Sequence, residues 1–196
     1  MISSGALKFG RFKLKSGVVS PYYIDLSWLL SSPEDFGKIV DLVAQEIEQL
    51  KSKRRINKLA SIELKGALLL PSIAYKLRMP CVIVRKERKS YGVRGRIAGG
   101  KIEDGDRFIF FDDVVTSGES KIEGVRPIEE AGGRIETILV VVDREQGGKE
   151  ELEDRGYHLI SATKISEIIR CLLKAEKIPR SQAEEILEYI GKQHQN

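Results

Sequence analysis

The stretch FIFFDDVVTSGES, residues 108–120, decides the predicted fold, because it joins an apolar run directly to two acidic residues and a short polar turn. The run from Phe108 to Phe111 is apolar throughout, which is typical of a buried strand in a parallel sheet. Asp112 and Asp113 follow at the predicted carboxyl end of that strand. Open α/β sheets bind ligands at this edge, and the turn offers hydroxyls, a glycine and backbone N–H groups ahead of a predicted helix. The stretch therefore predicts a sugar-phosphate site.

Strand-like and helix-like patterns alternate along the rest of the chain. Short apolar runs predict further strands over residues 59–64, 81–84, 135–142 and 159–162, and helices are predicted to begin near residues 33, 65, 121, 165 and 181. The pattern from Ser181 to Glu184 is that of a capping box, in which Ser181 precedes the last helix. The alternation predicts an α/β fold with a mainly parallel central sheet flanked by helices.

Length and composition fit one domain. The chain has 196 residues, of which 41% are hydrophobic and 32% charged, the profile of a soluble, well-folded protein. We expect a single domain over residues 1–196, in which about 1–30 form a small cap, about 33–175 the core and about 181–191 a C-terminal helix. The formal net charge of +4 favours anionic ligands without requiring nucleic acid.

Cysteine and histidine usage argues against several classes of site. Cys81 and Cys171 lie far apart in apolar surroundings and are expected to be buried free thiols. With two histidines and no Cys/His cluster, neither structural zinc nor a Cys–His nucleophile is expected. No apolar stretch reaches the roughly 20 residues that cross a bilayer, and the N-terminus has no signal-peptide pattern. We expect a cytoplasmic protein with no membrane partner.

A cationic segment follows the predicted strand at residues 81–84. Residues 85–96, RKERKSYGVRGR, combine many Lys and Arg residues with glycines, within a longer Gly- and Arg-rich connection over 85–105. A charge run of this kind is often only a solvated surface, but its glycines favour a mobile lid that closes over an anionic ligand. Nucleic acid is a weaker alternative, because Tyr91 is the single aromatic residue available for base stacking in this segment.

The chain resembles the orotate phosphoribosyltransferase family along nearly its full length. Residues 7–23, from LKFG to SPYY, are similar to the N-terminal hood of the family. RKERKSYG at residues 85–92 resembles its catalytic loop, DDVVTSGES at 112–120 its motif for phosphoribosyl diphosphate (PRPP), and DREQGG at 143–148 its orotate-contacting segment. The resemblance implies a type I phosphoribosyltransferase-like fold, with the small hood over the active site.

The resemblance implies an activity and a set of site residues. Ribose 5-phosphate would pass from PRPP to orotate, giving orotidine 5′-monophosphate and diphosphate in UMP biosynthesis. The reaction builds positive charge on the ribose and negative charge on diphosphate, so the site must stabilise both. The implied catalytic residues are Lys65, Lys89, Asp112 and Asp113. The implied PRPP contacts are Arg85, Lys86, Lys89, Tyr91, Asp112, Asp113, Val114, Val115, Thr116, Ser117, Gly118, Glu119 and Ser120. The implied orotate contacts are Lys15, Tyr22, Tyr23, Thr116 and Arg144.

A cofactor and an assembly are also implied by the resemblance. Mg²⁺ would be held mainly through PRPP oxygens and water, with no direct protein ligand, as is common for this hard cation. Lys89 would enter the active site of a partner subunit, which implies a homodimer with shared active sites.

The chain departs from the family pattern in two places. Tyr91 stands where the catalytic loop usually has His, and a phenol is a poorer proton donor at neutral pH than an imidazole. The family usually has Gly-Ile-Pro after the position of Lys65, whereas this chain has Gly-Ala-Leu. We therefore expect a differently shaped diphosphate loop.

Two other functions stay open at this point. One is a phosphoribosyltransferase for another base, such as a purine or uracil, although the hood and Arg144 favour orotate. The other is a non-catalytic PRPP-binding regulatory protein that binds nucleic acid through residues 51–58 and the cationic segment. Against the second, the sequence has no recognisable helix-turn-helix or appended binding domain.

Overall fold

The computed structural model describes residues 2–13, 17–89 and 95–193, except for the side chains of residues 88 and 89. Its strands are β1 (Leu7–Lys13), β2 (Val19–Ile24), β3 (Lys58–Ile62), β4 (Cys81–Lys89), β5 (Gly95–Ala98), β6 (Arg107–Val115), β7 (Arg134–Asp143) and β8 (His158–Lys164). Its helices are α1 (Pro33–Lys53), α2 (Lys65–Leu77), α3 (Glu119–Glu130), α4 (Gly148–Asp154), α5 (Ile165–Lys174) and α6 (Arg180–Gln193), and a 3-10 helix covers Leu26–Ser31.

The central sheet has six strands in the order β5-β4-β3-β6-β7-β8. Neighbouring strands are parallel throughout, except that β4 and β5 are antiparallel. The carboxyl ends of β3, β6 and β7 therefore meet at one edge, where open α/β sheets bind their ligands. The predicted fold class, an α/β domain with a mainly parallel sheet flanked by helices, is confirmed.

Both faces of the sheet are covered, which explains the unbroken apolar runs. On β6, Ile109 and Phe111 pack in a hydrophobic cluster with α1, α2, α5 and α6, whereas Phe108 and Phe110 pack in a second cluster with α3 and α4. Because successive side chains of a strand point to opposite faces, a strand covered on both sides needs an apolar residue at every position.

The first two strands form a hairpin outside the central sheet. β1 and β2 pair antiparallel, with Leu7 opposite Ile24. Leu7, Tyr22 and Ile24 are buried in the same cluster as α6, which packs on β2. The hairpin and the last helix therefore support one another on one side of the sheet.

Strand β6 is longer than its apolar run predicts. The strand continues through Asp112 and Asp113, because its pairing with β7 extends to Val115 opposite Asp143. The acidic pair therefore belongs to the end of the sheet, and the turn begins only at Thr116.

The predicted Gly- and Arg-rich connection over residues 85–105 contains strand residues at 85–89 and 95–98, which the prediction missed. Strand β4 runs on to Lys89, and β5 returns antiparallel to it, with Lys89 opposite Gly95. Tyr91 lies outside the described residues. Edge strands often carry charged side chains, so the cationic composition concealed the strand character of this segment.

Three smaller differences concern single elements. Helix α6 begins at Arg180, so Ser181 lies inside the helix and not at its cap. Cys81 is partly buried, but Cys171 is exposed and not buried as predicted; both thiols are free. Helix α4 was not predicted, because it is short and begins at a glycine.

No helix in the described part of the chain is long and apolar enough to cross a membrane.

Candidate active site

Two buried carboxylates lie side by side at the end of β6. Asp112 and Asp113 are each 5% exposed. The Lys121 ammonium, from the first turn of α3, lies 2.7 Å from Oδ2 of Asp112. The backbone N–H of Asp113 donates to Oδ1 of Asp112 at 2.9 Å. Oδ2 of Asp113 is buried and has no hydrogen-bond partner among the described residues. One carboxylate is therefore paired internally, while the other has a free acceptor.

The environment of Asp113 shifts its protonation toward neutral pH. Burial, assisted by the neighbouring Asp112 carboxylate, raises the pKa of Asp113 to about 7, while Lys121 and Lys65 oppose the shift. Near neutral pH this carboxyl is therefore divided between its charged and neutral forms. Perturbed carboxyl groups at the edge of a sheet are typical of functional sites.

The turn after β6 is built as an anion cradle. Thr116 and Ser117 are exposed, and Gly118 precedes α3 with a φ of +83°, in the left-handed region that favours glycine. The Lys121 and Ile122 N–H groups donate to the Gly118 carbonyl oxygen at 2.9 and 3.2 Å. The N–H groups that precede them at the start of α3 have no acceptor within the helix, which is the arrangement that suits an anion. Lys121 fixes this turn, because its ammonium also donates to the Val114 carbonyl oxygen and lies 3.2 Å from Oγ of Ser120.

A second loop, at the end of β7, is packed tightly against this turn. The Arg144 N–H donates to the Val115 carbonyl oxygen at 3.0 Å. A Cβ on Gly148 would overlap the Thr116 carbonyl oxygen and would lie 2.7 Å from Cγ2 of Val115. Only glycine at position 148 lets the second loop lie this close to the turn after β6. These are the two loops that carry the predicted PRPP and orotate contacts.

Arg144 is held by the hood. Its Nε lies 3.4 Å from the Tyr22 hydroxyl, and its guanidinium carbon lies 5.0 Å from the centre of the Tyr22 ring. Nη2 of Arg144 is buried with no hydrogen-bond partner in the described part of the chain. Burial raises the pKa of the Tyr22 hydroxyl, although Arg144 opposes the shift. The arginine therefore has an oriented side chain and an unused donor.

Helix α6 completes this side of the site. Tyr189 meets the Tyr22 ring edge to face, with ring centres 6.1 Å apart. Tyr22 is fully buried, whereas Tyr23 is 37% exposed. Of the two predicted hood tyrosines, Tyr22 therefore supports Arg144, and Tyr23 is the one with accessible surface. Lys15 lies outside the described residues.

Lys65, at the start of α2, links the hood to the acidic pair. Its ammonium lies 3.2 Å from Oδ1 of Asp25 and 5.8 Å from the centre of the Tyr23 ring. Its charge also acts on Asp113, whose pKa it lowers. Lys65 therefore contacts the hood and acts electrostatically on Asp113.

The predicted PRPP-binding cations on β4 are spread along the strand, and one of them bonds to the neighbouring strand β5. Arg85 donates to the Gly95 carbonyl oxygen at 3.3 Å, and Arg96 donates to the Arg85 carbonyl oxygen at 2.9 Å. Arg85 thus fastens the two strands to each other. The side chain of Lys86 is exposed, and its N–H donates to Oε1 of Glu63 at 2.6 Å. The side chain of Lys89 lies outside the described residues.

A groove of about 860 Å³ opens beside the turn, between α3 and α4. Residues from the turn and from the second loop line part of it, among them Ser117, Ser120, Gln146 and Gly147. In the described residues, no three His, Cys, Asp or Glu side chains lie close enough together to hold a metal ion.

Sequence reasoning missed two residues of this site. Lys121 follows the quoted stretch directly and falls on the inward face of α3 with Val125 and Ile128, so a cation at a core position was the available signal. Tyr189 gave no comparable signal, because its role depends on a contact between the first and last elements of the fold.

Comparisons with known proteins show what the whole chain is similar to. Residues 28–171 match the family model described as a phosphoribosyl transferase domain. The chain is 34% identical to an orotate phosphoribosyltransferase of Pyrococcus horikoshii over 183 residues, covering 93% of this chain and 95% of that protein. The structure of an orotate phosphoribosyltransferase from Aeropyrum pernix has a TM-score of 0.77 at 29% identity, covering 87% and 94% of the two chains. A UMP synthase of Leishmania donovani has a TM-score of 0.85 at 27% identity; the match covers 97% of this chain and 40% of that one.

Proposed function

Because this chain belongs to the phosphoribosyltransferase family, we propose that it is an orotate phosphoribosyltransferase of UMP biosynthesis. It transfers ribose 5-phosphate from PRPP to orotate and releases orotidine 5′-monophosphate and diphosphate. The observation that carries the proposal is the similarity to proteins of this activity along nearly the whole chain, including the hood that lies outside the family model.

The ribose and its phosphate are assigned to the end of β6. Asp113 offers a buried carboxylate oxygen with no partner in the described structure, which suits a ribose hydroxyl donor. The 5′-phosphate suits the turn from Thr116 to Ser120, where hydroxyls and the N-terminal N–H groups of α3 converge. Positive charge that develops on the ribose is then stabilised by the adjacent carboxylates.

Orotate is assigned to the space beside Arg144. The unused Nη2 donor of Arg144 suits the orotate carboxylate, because charge-assisted hydrogen bonds are the strongest kind available to an arginine. Thr116 and Tyr23 are both exposed and are proposed to border the ring, together with Lys15. Tyr22 acts through Arg144.

Cations on α2 and β4 are assigned to the departing diphosphate. This role is proposed for Lys65, Lys86 and Lys89. Tyr91 would add a hydrogen-bond donor. Arg85 would also contribute, but its guanidinium would first have to leave the Gly95 carbonyl oxygen. Mg²⁺ would neutralise charge on the diphosphate. Because Asp112 is already paired with Lys121, the two carboxylates suit a single ribose hydroxyl or a metal-bound water better than direct coordination of Mg²⁺ by several protein ligands. PRPP would then supply most of the oxygen ligands of Mg²⁺.

A homodimer is proposed as the working form. Leu64, which precedes α2, is 65% exposed, and Tyr75 within α2 is 87% exposed; Pro71 lies between them in the helix. Exposed apolar residues of this kind support a contact with a second copy, and Leu64 adjoins Lys65 of the active site. Mixing Lys89→Ala with Arg144→Ala subunits should restore part of the lost activity if sites are shared between subunits. No restoration would refute shared sites.

A cytoplasmic location is also proposed. The free thiols of Cys81 and Cys171 support it, since secreted proteins more often form disulfides. Fractionation of the source cells, followed by detection of this chain, tests the location.

The activity is tested with purified protein, PRPP, Mg²⁺ and orotate. We expect orotate to be consumed, with loss of its ultraviolet absorbance and formation of orotidine 5′-monophosphate. Uracil, hypoxanthine and adenine serve as competing acceptors. Consumption of one of these bases in place of orotate, or PRPP binding without turnover of any base, would refute the assignment.

A further inference from the structure

We propose that Lys121 is a positioning residue that keeps Asp112 and Asp113 competent to bind the ribose hydroxyls of PRPP at neutral pH. The proposal rests on the proposed function, since it assigns the acidic pair to PRPP. Lys121 lies just beyond the motif that carries the family resemblance, and none of its roles follows from that motif.

The geometry shows that the Lys121 ammonium is built into the site. Its side chain is 5% exposed, and that of Asp112 is 8% exposed. Besides Asp112, the ammonium is bonded to the Val114 carbonyl oxygen and to Oγ of Ser120. These partners belong to β6 and to the first turn of α3. One buried cation therefore holds both the carboxylate and the start of the phosphate cradle.

Cations from two helices act on Asp113. Asp112 and Asp113 lie on β6, Lys121 reaches them from α3, and Lys65 acts on Asp113 from α2. Lys65 is only partly buried and is already paired with Asp25 in the hood. Lys121 is thus the buried cation in direct contact with the pair among the described residues.

Removing this cation would leave two neighbouring carboxyl groups in a buried site. Lys121 lowers the pKa of Asp113, and like charges at close range disfavour double ionisation, so without Lys121 the pKa of the pair would rise further and the pair would hold a proton throughout the neutral range. A carboxylic acid is a weaker acceptor for a hydroxyl than a carboxylate. PRPP binding would then be lost near neutral pH and would recover as higher pH removes the proton. A role in packing alone predicts a loss that does not change with pH.

The experiment measures the PRPP dissociation constant by calorimetry with Mg²⁺ between pH 6.0 and 8.5. Lys121→Met keeps the length of the side chain and removes its charge. Lys38→Met is the matched control, since it breaks an exposed 2.6 Å contact with Glu34 on α1. We expect Lys121→Met to bind PRPP roughly tenfold or more weakly at pH 7, with the ratio to wild type shrinking by up to about tenfold per pH unit as the pH rises toward the higher pKa of the pair in the variant. Lys38→Met should match wild type throughout.

Two results would overturn the proposal. One is unchanged PRPP affinity in Lys121→Met; the other is a loss of affinity that is equal at pH 6.0, 7.0 and 8.5. A wild-type protein that binds no PRPP at any pH would refute the proposed function instead.

Where Lys121→Met is folded but too unstable for calorimetry with PRPP at pH 7, its melting temperature between pH 5 and 8 tests the proposal. Breaking a buried ion pair leaves an uncompensated charge, which protonation removes. We expect the melting temperature of the variant, relative to Lys38→Met, to rise as the pH falls toward 5. A relative melting temperature that is equally low at pH 5 and pH 8 would overturn the proposal.

Discussion

The two halves of the proposed site are built in opposite ways. The ribose-phosphate half comes from one continuous segment, in which a strand end, a turn and a helix start supply the acidic pair, the cradle and Lys121. The orotate half is assembled from distant parts of the chain, since Arg144 and Tyr22 are 122 residues apart and Tyr189 lies on the last helix. The charged groups of the ribose-phosphate half thus come from one short segment, while the orientation of Arg144 depends on contacts between distant parts of the chain. Variants of each half should therefore affect different substrates.

The largest effect is expected for Asp113→Asn. The change removes the negative charge assigned to the ribose and replaces one carboxylate oxygen by an NH2 donor, and loss of one preorganised electrostatic contact typically costs about 10²–10³-fold in rate. We expect kcat/KM for PRPP to fall by this amount, with a much smaller change in orotate binding. Steady-state kinetics with each substrate varied in turn provides the measurement. A loss confined to orotate would reverse the assignment of the two halves.

Arg144→Ala should damage the other half. Loss of a charge-assisted hydrogen bond costs roughly 1.5–3 kcal/mol, or about 10–100-fold in kcat/KM for orotate. The PRPP dissociation constant should stay at the wild-type value, and Arg144→Lys should recover only part of the loss because it lacks the second donor nitrogen. An equal fall in PRPP affinity would show that the halves are not separate.

Gly148→Ala should affect both halves together. The new methyl group would overlap Thr116, and overpacking of this kind costs roughly 1–3 kcal/mol. We expect higher KM values for both substrates and a lower melting temperature. Gly191→Ala on α6 is the control, since its Cβ would meet no atom within 4 Å. A change in only one KM would mean that the two loops respond independently.

Tyr22→Phe should have a smaller effect, limited to the orotate half. It removes the hydroxyl beside Arg144 and keeps the ring, so we expect the KM for orotate to rise by about 3–10-fold, the worth of one hydrogen bond. Tyr157→Phe, which removes a surface hydroxyl bonded to Glu129, should leave both KM values unchanged. A rise in the KM for PRPP alone would contradict the assignment of Tyr22 to Arg144.

The smallest effect is expected in the pH dependence of stability. With its pKa raised to about 7, Asp113 binds more protons in the folded than in the unfolded chain between about pH 4 and 7. Its contribution to stability is therefore complete at low pH and is lost as the pH rises to 7. The melting temperature of Asp113→Asn, relative to wild type, should increase from pH 5 to pH 8, by roughly 2–4 °C for each kcal/mol. A difference that does not change with pH would contradict the raised pKa.

The same contrast explains what the sequence could predict. The segment from Phe108 to Ser120 was interpretable because neighbours in sequence are neighbours in the site. The first part of β4 was predicted from its apolar run, but its extension to Lys89 and the strand β5 were missed, because charged side chains on an edge pair carry no apolar period. The link from Tyr189 through Tyr22 to Arg144 required the hairpin and α6 to be folded together first, and no local pattern records that contact. The burial of Lys121 was predictable in part. The helical period of α3 places Lys121 on the buried face, but no pattern in the sequence indicates its ion pair with Asp112.

The close approach of Gly148 to Thr116 also bears on how this enzyme could acquire a new acceptor. The loop that carries Arg144 cannot gain side-chain volume at residue 148 without pressing on the phosphate turn. Mutations that reshape the base site are therefore confined to positions such as Glu145 and Gln146, or to the hood. A lineage that diverges toward another base can replace Tyr22 or Arg144, but we expect it to retain the glycine.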